Sequence, residues 1–428
     1  MADGDTIYEK LKSIAKSKED ILVVMSELGI DTSVVSRLSD IPSLLTSYAA
    51  GHASSSDVSL DRHTATDVVI PDGVSNIGNY SFYQCPELRR LKIPSSVTRI
   101  GGYAFYNCNN LLALDVPSGV IEIGQRSFYG CFLLSSLSLQ PGLSSIGKYA
   151  FYGCNSVESI TLPDSVTDIG IYSFKGCSSM KSLHLSGGMT SVPAYSFMGC
   201  NKLTSIYVPD GVTSIGDYAF HGCSILPVLS LPPSVSIIGS YAFYNCVALT
   251  DLRLSDNVVS IGHNAFDQCN TLSSLEIPTS VTSIGQNAFS GCSSLTTLSI
   301  LGSPEIYDEA FSGCSSLTNL TWSVSGGPLK IGPKAFYSCS SLLELLIPDG
   351  ATSIGTSAFY NCSSLKTLSI PSSVTSIGGK AFYGCPTDCV ITYNTTMSNA
   401  KDRFPFSGHA FGGSYGHKVI CQDGTLVL

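Results

Sequence analysis

Cysteine is the residue type in this sequence whose number and spacing most suggest chemistry. Fourteen of the sixteen cysteines follow a phenylalanine by three positions, at intervals that are nearly always 23 residues. Cysteines can hold zinc, form disulfides or act as nucleophiles, and each of these roles needs a suitably placed partner. The recurring cysteines are Cys85, Cys108, Cys131, Cys154, Cys177, Cys200, Cys223, Cys246, Cys269, Cys292, Cys314, Cys339, Cys362 and Cys385.

The sequence supplies no such partner for these cysteines. None has a companion at C-x-x-C spacing, and no histidine recurs beside them. Side chains at one phase of a repeat stay parallel, so we expect reduced, buried thiols rather than disulfides. The seven histidines and the carboxylates form no acid–base constellation. We therefore predict no catalytic residue, no metal, no cofactor and no enzyme activity.

Composition argues against two classes of partner. The formal net charge is -9, only 13% of residues are charged, and lysine and arginine form no cluster. This excludes the electrostatic footprint that nucleic-acid binding needs. No segment approaches the roughly 20 apolar residues of a membrane-spanning helix, and the first 30 residues do not read as a signal peptide. We expect a soluble chain with no membrane insertion.

The elements that position the cysteines can be read from one unit, CSSLKTLSIPSSVTSIGGKAFYGC, residues 362–385. Apolar and polar residues alternate in its first half, so Leu365, Leu368 and Ile370 should face inward from a short strand that a proline ends. Ile377 should face inward from a second extended segment. The following glycine permits a turn, and Ala-Phe leads back to the cysteine through a tight helical turn. Stacking of the units completes the core.

The repeat resembles the BspA-type (Treponema pallidum-like) leucine-rich repeats, whose signature contains the same I-P-x-S-V-T-x-I-G-x-x-A-F-x-x-C run. Matches recur fourteen times over about three quarters of the chain. The resemblance implies a β-rich (α/β-type) leucine-rich repeat solenoid, with a curved parallel sheet on one face and short extended and helical turns on the other. It also implies a binding role, because such repeats occur in bacterial and protist adhesins and in virion proteins of gut bacteriophages. It implies no catalytic residues.

Four regions follow from this pattern. Residues 1–48 are predicted to form a small helical attachment unit, because apolar residues recur there at helical spacing. Residues 49–57 are predicted to be a flexible linker. Residues 58–385 form the fourteen-repeat solenoid, and residues 386–428 its C-terminal cap and hairpin, since an uncapped solenoid invites edge pairing.

Two flanking segments resemble parts of phage or prophage tail and fibre proteins of gut bacteria. They are LSDIPSLL near the N-terminus and VICQDGTLVL at the C-terminus. The first favours attachment to a virion structural protein through residues 1–57. The second also predicts a hairpin of Lys418–Cys421 with residues 425–428, turning at Asp423 and Gly424.

The strand face offers one candidate ligand-binding surface. Residues between two inward strand positions project outward, and they vary while the core positions do not. Variation on a constant scaffold is how a solenoid can carry a specific extended site. The candidates are His184, Tyr207, Arg253 and Glu276. A solvated sheet face without function explains the same residues equally well.

Tyrosine offers a second candidate, because most tyrosines fall at two phases around the recurring phenylalanine. Such rings can be offered to a glycan or a protein, or they can stack as a packing ladder, and the ladder is the simpler interpretation. The candidate aromatic stripe is Tyr149, Tyr172, Tyr195, Tyr218 and Tyr241. One irregular repeat, with Trp322, Gly326 and Gly327, is a third candidate, although Trp322 takes a strand position normally held by isoleucine.

These features predict a non-enzymatic recognition protein, and three settings remain open. The first is a bacteriophage virion protein, of the fibre, receptor-binding, capsid or tail-attached kind, which binds a bacterial surface glycan or protein and is extracellular when released. The second is a bacterial or protist cell-surface adhesin. The third is an intracellular protein-interaction scaffold. The sequence is also compatible with a homo-oligomer.

Overall fold

A computed structural model describes residues 65–323, 328–396, 398–400, 410 and 418–427. Over these ranges the chain winds into stacked coils, and nearly every coil contributes one longer and one shorter strand. The helical attachment unit and linker predicted for residues 1–57 lie outside the described residues. Where the structure is described, only residues 398–400 are helical.

The longer strands lie side by side on what we call the long-strand face. Most neighbours are paired in parallel, one repeat away, as in Asp67 with Arg90, and the hydrogen-bonded ladder is interrupted at four places along the described chain. Numbered in chain order, they are β1 (Asp67–Val69), β3 (Arg90–Lys92), β5 (Ala113–Val116), β7 (Ser136–Leu139), β9 (Ser159–Thr161), β11 (Ser182–His184), β13 (Ser205–Tyr207), β15 (Val228–Ser230), β17 (Asp251–Arg253), β19 (Ser274–Ile277), β21 (Thr297–Ile300), β23 (Asn319–Trp322), β25 (Glu344–Leu346), β27 (Thr367–Ile370) and β29 (Val390–Tyr393).

The shorter strands form a second set of parallel ladders on the opposite side of the core. They are β2 (Asn76–Ile77), β4 (Arg99–Ile100), β6 (Glu122–Ile123), β8 (Ser145–Ile146), β10 (Asp168–Ile169), β12 (Ser191–Val192), β14 (Ser214–Ile215), β16 (Ile237–Ile238), β18 (Ser260–Ile261), β20 (Ser283–Ile284), β22 (Glu305–Ile306), β24 (Leu329–Ile331), β26 (Ala351–Ile354) and β28 (Ser376–Ile377). This set breaks between β10 and β12. Pro193 follows β12 there and cannot donate the backbone hydrogen bond that glycine donates in other coils, as Gly170 does to Ile146.

The core is a set of ladders in which equivalent side chains of successive coils touch. Leu365, Leu368, Ile370 and Ile377 are buried, which confirms their predicted inward positions. Rings of successive core phenylalanines stack with centroids 5.0 to 5.7 Å apart. Because the two faces of an inner ring are covered by the rings of the coils above and below it, no coil buries its apolar surface alone.

The turns between shorter and longer strands are not the helical turns that the sequence predicts. Two residues in nearly every coil take left-handed backbone conformations there: one precedes the small residue before phenylalanine, and one precedes the cysteine. Glycine often fills the second position, as Gly176 does with a φ of 77°. These left-handed residues interrupt right-handed helical geometry, so alternate turn amides bond to the next coil, as Phe105 N–H does to Ser127, and the others bond three residues back, as Tyr106 N–H does to Tyr103.

The C-terminal end of the long-strand face continues beyond Cys385. Strand β29 pairs in parallel with β30 (Lys418–Cys421), which forms an antiparallel hairpin with β31 (Gly424–Val427). The predicted hairpin is therefore confirmed, although its turn residues are Gln422 and Asp423, one position earlier than predicted.

Candidate functional site

The recurring cysteines are structural, and their thiols are hydrogen-bonded. From Cys108 to Cys385, each Sγ donates to the carbonyl of the phenylalanine in the preceding coil, at 3.2 to 3.8 Å. All sixteen cysteines are buried and free, and for the fourteen recurring ones the burial is as predicted. Burial raises the pKa of Cys131, Cys200 and Cys246 to about 12, so these thiols are protonated and weak nucleophiles at neutral pH.

The four candidates on the long-strand face are exposed, but they do not form one cluster. His184 and Tyr207 occupy paired positions on β11 and β13, and their rings stack with centroids 4.3 Å apart. Arg253 lies two coils beyond Tyr207 and makes an ion pair with Asp251 of its own strand at 3.2 Å. Glu276 lies on the next coil, β19. Only the His184–Tyr207 pair is brought together.

The tyrosine stripe forms a continuous stack, which we call the first tyrosine column. Neighbouring rings from Tyr149 to Tyr241 lie 4.5 to 4.7 Å apart, so the packing-ladder interpretation is confirmed. Each of these tyrosines is at the left-handed position, with φ between 56° and 61°. A left-handed non-glycine residue costs roughly 1 kcal/mol or more, which the stacking and burial of the ring must offset.

A second tyrosine column runs beside the first. It contains Tyr83, Tyr106, Tyr129 and Tyr152, whose successive rings stack at 4.6 to 5.0 Å. The two columns touch at tilted pairs, such as Tyr149 with Tyr152 at 5.9 Å. Because the ring faces are used in stacking, the columns present ring edges and hydroxyl groups to solvent.

Between the columns lies an open groove of about 520 Å³, which we call the tyrosine groove. Seven tyrosines and two basic residues line it, and no carboxylate does. Burial raises the pKa of Tyr83, Tyr106 and Tyr129 above the ordinary value of 10.0, so their hydroxyls are protonated donors at neutral pH. The lining residues are Tyr83, Tyr103, Tyr106, Arg126, Tyr129, Tyr149, Tyr152, Tyr172 and Lys175.

The two basic residues are functional candidates that the sequence-based reasoning missed. Arg126 fills the first-column position between Tyr103 and Tyr149, with its guanidinium carbon 5.4 and 4.8 Å from their ring centroids. Lys175 fills the second-column position after Tyr152, with Nζ 5.8 Å from that ring. The sequence feature that could have identified them is a basic residue at a repeat position where the neighbouring coils carry tyrosine.

The irregular repeat contributes a packing residue. Trp322 is half-buried, pairs in register with Ile300, and meets Phe336 edge-on at 5.9 Å. Its register with Ile300 agrees with the strand position that the sequence assigns to it, and its side chain packs against the core. Gly326 and Gly327 lie outside the described residues. In the described part of the chain, no three metal-ligating side chains converge, and no helix is long and apolar enough to cross a membrane.

Comparisons with known proteins match the repeat architecture. The model of the BspA-type leucine-rich repeat region matches residues 59–181, 190–318 and 329–407. A leucine-rich repeat protein from Bacteroides ovatus is 32% identical, with a TM-score of 0.69, over 79% of this chain and 89% of that one. No match was found among curated proteins.

Two further solved structures show lower similarity. A leucine-rich cell surface protein from Faecalibacterium prausnitzii is 26% identical over 79% of this chain and 90% of that one, with a TM-score of 0.44. A leucine-rich repeat protein from Eubacterium ventriosum is 25% identical over 82% and 87%, with a TM-score of 0.41. From the family match and the Bacteroides ovatus structure together, this chain belongs to the BspA-type leucine-rich repeat family.

Proposed function

We propose that this protein is a non-enzymatic recognition protein of the adhesion type, which binds a glycan or protein of a bacterial surface through the tyrosine groove. Membership of a family whose proteins typically serve recognition supports the general role. The observation that carries the choice of surface is the lining of the groove: seven tyrosines and two basic residues without a carboxylate, on a chain whose net charge is -9.

The groove suits recognition for a second reason, which is rigidity. Its tyrosines are held by stacking on neighbouring rings, by contacts with Arg126 or Lys175, and by backbone hydrogen bonds between coils, such as Tyr103 N–H to Gln125 at 2.9 Å. A rigid aromatic surface loses little conformational entropy when a ligand binds. The long-strand face is a weaker candidate, since His184 and Tyr207 stack on each other and Arg253 is paired with Asp251.

The setting that we propose first is the virion, to which residues 1–57 would attach the solenoid. The cell surface is the alternative setting. Support for the virion comes from the two flanking segments alone. Mass spectrometry separates the settings, because the protein would be found in purified phage particles in the first case and in the envelope fraction of cells in the second.

Removing two groove hydroxyls tests the proposed binding surface. We expect Tyr106→Phe combined with Tyr152→Phe to weaken binding by about tenfold, because two hydrogen-bond donors are lost while the stacked rings stay. Binding is measured on an array of bacterial glycans and surface proteins, with the thermal midpoint recorded for each variant.

Tyr337→Phe combined with Tyr360→Phe is the matched control. These two tyrosines stack at 4.8 Å at the same phase of later coils, outside the groove. This variant should bind like the wild type. Equal binding by the groove variant and the wild type would refute the groove as the ligand site.

A further inference from the structure

We propose that the tyrosine groove binds an acidic polysaccharide, with Arg126 and Lys175 each holding one of its anionic groups. The inference rests on the proposed function, because it names the ligand class of the same groove. It is carried by the position of the two basic residues, by the groups that surround them and by the distance between them.

Neither basic residue has an acidic partner in the part of the chain that the structure describes. The ion pairs found there involve other residues, and neither Arg126 nor Lys175 takes part in them. The guanidinium of Arg126 instead donates to the Tyr103 hydroxyl and lies between two rings. Cation–π contacts hold both side chains in place but leave their positive charge uncompensated.

A later coil shows what a neutralised basic residue looks like at the same phase. Lys334 occupies the first-column position that Arg126 occupies earlier, and its Nζ lies 2.7 Å from the carboxylate of Glu309 in the preceding coil. In the groove, the column neighbours of Arg126 are Tyr103 and Tyr149. The fold can place a carboxylate beside this position, and in the groove it places tyrosines.

The arrangement of the rings favours a carbohydrate over a nucleic acid. Single-stranded nucleic acids bind by stacking bases on aromatic faces and by tracking the backbone with a basic groove. Here the ring faces are occupied by their neighbours, as between Tyr129 and Tyr152 at 4.6 Å. Ring edges, hydroxyl donors and two separate positive charges match the hydroxyl and carboxylate or sulfate groups of an acidic polysaccharide.

The separation of the basic residues indicates a polymer rather than a small anion. Lys175 lies two coils beyond Arg126, and coils stacked at strand spacing place their backbone positions roughly 10 Å apart along the axis. Two positive charges on different coils are matched better by a ligand with several anionic groups than by a single carboxylate. A chain with repeated anionic groups can contact both at once, and the second contact then benefits from a high effective concentration.

Binding of defined polymers to the full chain tests this inference. The probes are polygalacturonate, dextran sulfate, carboxyl-reduced polygalacturonate and galacturonate monomer, measured by calorimetry at two salt concentrations. We expect binding of one or both acidic polymers that weakens with salt, and much weaker binding of the neutral polymer and the monomer. The two acidic probes distinguish carboxylate from sulfate.

Arg126→Gln and Lys175→Gln should each weaken polymer binding about tenfold, as expected for one charge-assisted contact. Lys334→Gln, at a neutralised position outside the groove, should leave it unchanged. Lys175→Gln keeps the inference testable if Arg126→Gln does not fold.

Equal affinity for the neutral and acidic polymers would overturn the charge inference while leaving the groove as a binding site. Failure of both acidic polymers to bind would also overturn it. Competition by a single-stranded RNA oligomer through the same two residues would assign the groove to nucleic acid instead. In each of these cases, binding of the Tyr→Phe variants to the array of bacterial glycans and surface proteins still tests separately whether the groove is the binding site.

Discussion

Gly170→Ala is expected to destabilise the solenoid by about 3 kcal/mol, because there is no room for a methyl group where its coil meets the preceding one. A Cβ built on Gly170 would lie 2.3 Å from the backbone nitrogen of Lys148 and 2.6 Å from the carbonyl carbon of Gly147. Backbone atoms cannot rotate away as a side chain can. The two coils would have to separate, which would strain the adjacent hydrogen bonds and ladders.

The same close approach recurs at ten other glycines of the Ile-Gly step, which makes it a property of the stack. Two coils carry another residue at this position: Pro193, where the short-strand ladder breaks, and Tyr307, in the coil that is one residue shorter. A larger residue therefore needs a locally altered coil.

Gly379→Ala is the matched control, because a Cβ there would meet nothing within 4 Å. We expect its thermal midpoint to stay close to that of the wild type, while Gly170→Ala lowers it by several degrees. If the two variants unfolded at the same temperature, close contact between coil backbones would not be what requires glycine in the Ile-Gly step.

Raising the pH above about 9 is expected to unfold the solenoid cooperatively. Burial raises the pKa of Cys131, Cys200, Cys246 and Cys385 to about 12, from an ordinary value of 9.0. Between these values the folded state binds more protons than the unfolded state, so stability is fully present below pH 9 and falls as the pH rises. These four thiols alone lower the free energy of unfolding by about 5 kcal/mol per pH unit.

The measurement is a denaturant titration, followed by circular dichroism, at several pH values between 7 and 11. Cys200→Ala combined with Cys246→Ala should lower the free energy of unfolding at pH 7. Because two of the four thiols are removed, this free energy should then fall less steeply with pH, by roughly half of the 5 kcal/mol per pH unit that the four thiols contribute. As an independent check, a thiol reagent at pH 8 should modify few cysteines in the folded chain and all sixteen after denaturation. Titration of the ladder thiols near pH 9 in a folded array would contradict the account.

The sequence predicts the core because its periodicity has a single geometric solution. Leu368 and Ile370 alternate with polar residues, and Phe382 and Cys385 recur at fixed phase, so their inward positions follow from the pattern alone. Gly378 was predicted to permit a turn that a side chain would obstruct, and the backbone of the neighbouring coil supplies that obstruction. Glycine is needed there because the neighbouring coil comes close, since Gly378 does not have a positive φ.

The left-handed tyrosines could not be predicted from residue preferences, because aromatic residues disfavour positive φ. Stacking against the same residue in the next coil supplies the compensation, and one coil viewed alone does not show it. A signal exists in later coils, where Asn264 and Asn287 fill the same phase. Asparagine tolerates the left-handed conformation, so comparison of all fourteen units would have revealed it.

The tyrosine pattern alone does not reveal the groove, because the two basic residues that line it interrupt that pattern. Arg126 was absent from the candidates for this reason, although it lies at the column phase. On the long-strand face, outward positions were correctly predicted, but coil spacing lets only adjacent coils touch, as His184 and Tyr207 do. Which outward residues pair along their own strand, as Arg253 and Asp251 do, depends on side-chain conformations that the pattern does not specify.

Footprinting with hydroxyl radicals tests whether recognition takes place in the tyrosine groove. Tyrosine side chains are modified where solvent reaches them, and mass spectrometry reports each one. Modification of the full chain is compared with and without a ligand identified on the array of bacterial glycans and surface proteins. The account predicts reduced modification of Tyr106, Tyr129 and Tyr152, with no change at Tyr360 or Tyr207. Protection of Tyr207 on the long-strand face, with the groove tyrosines unchanged, would contradict it.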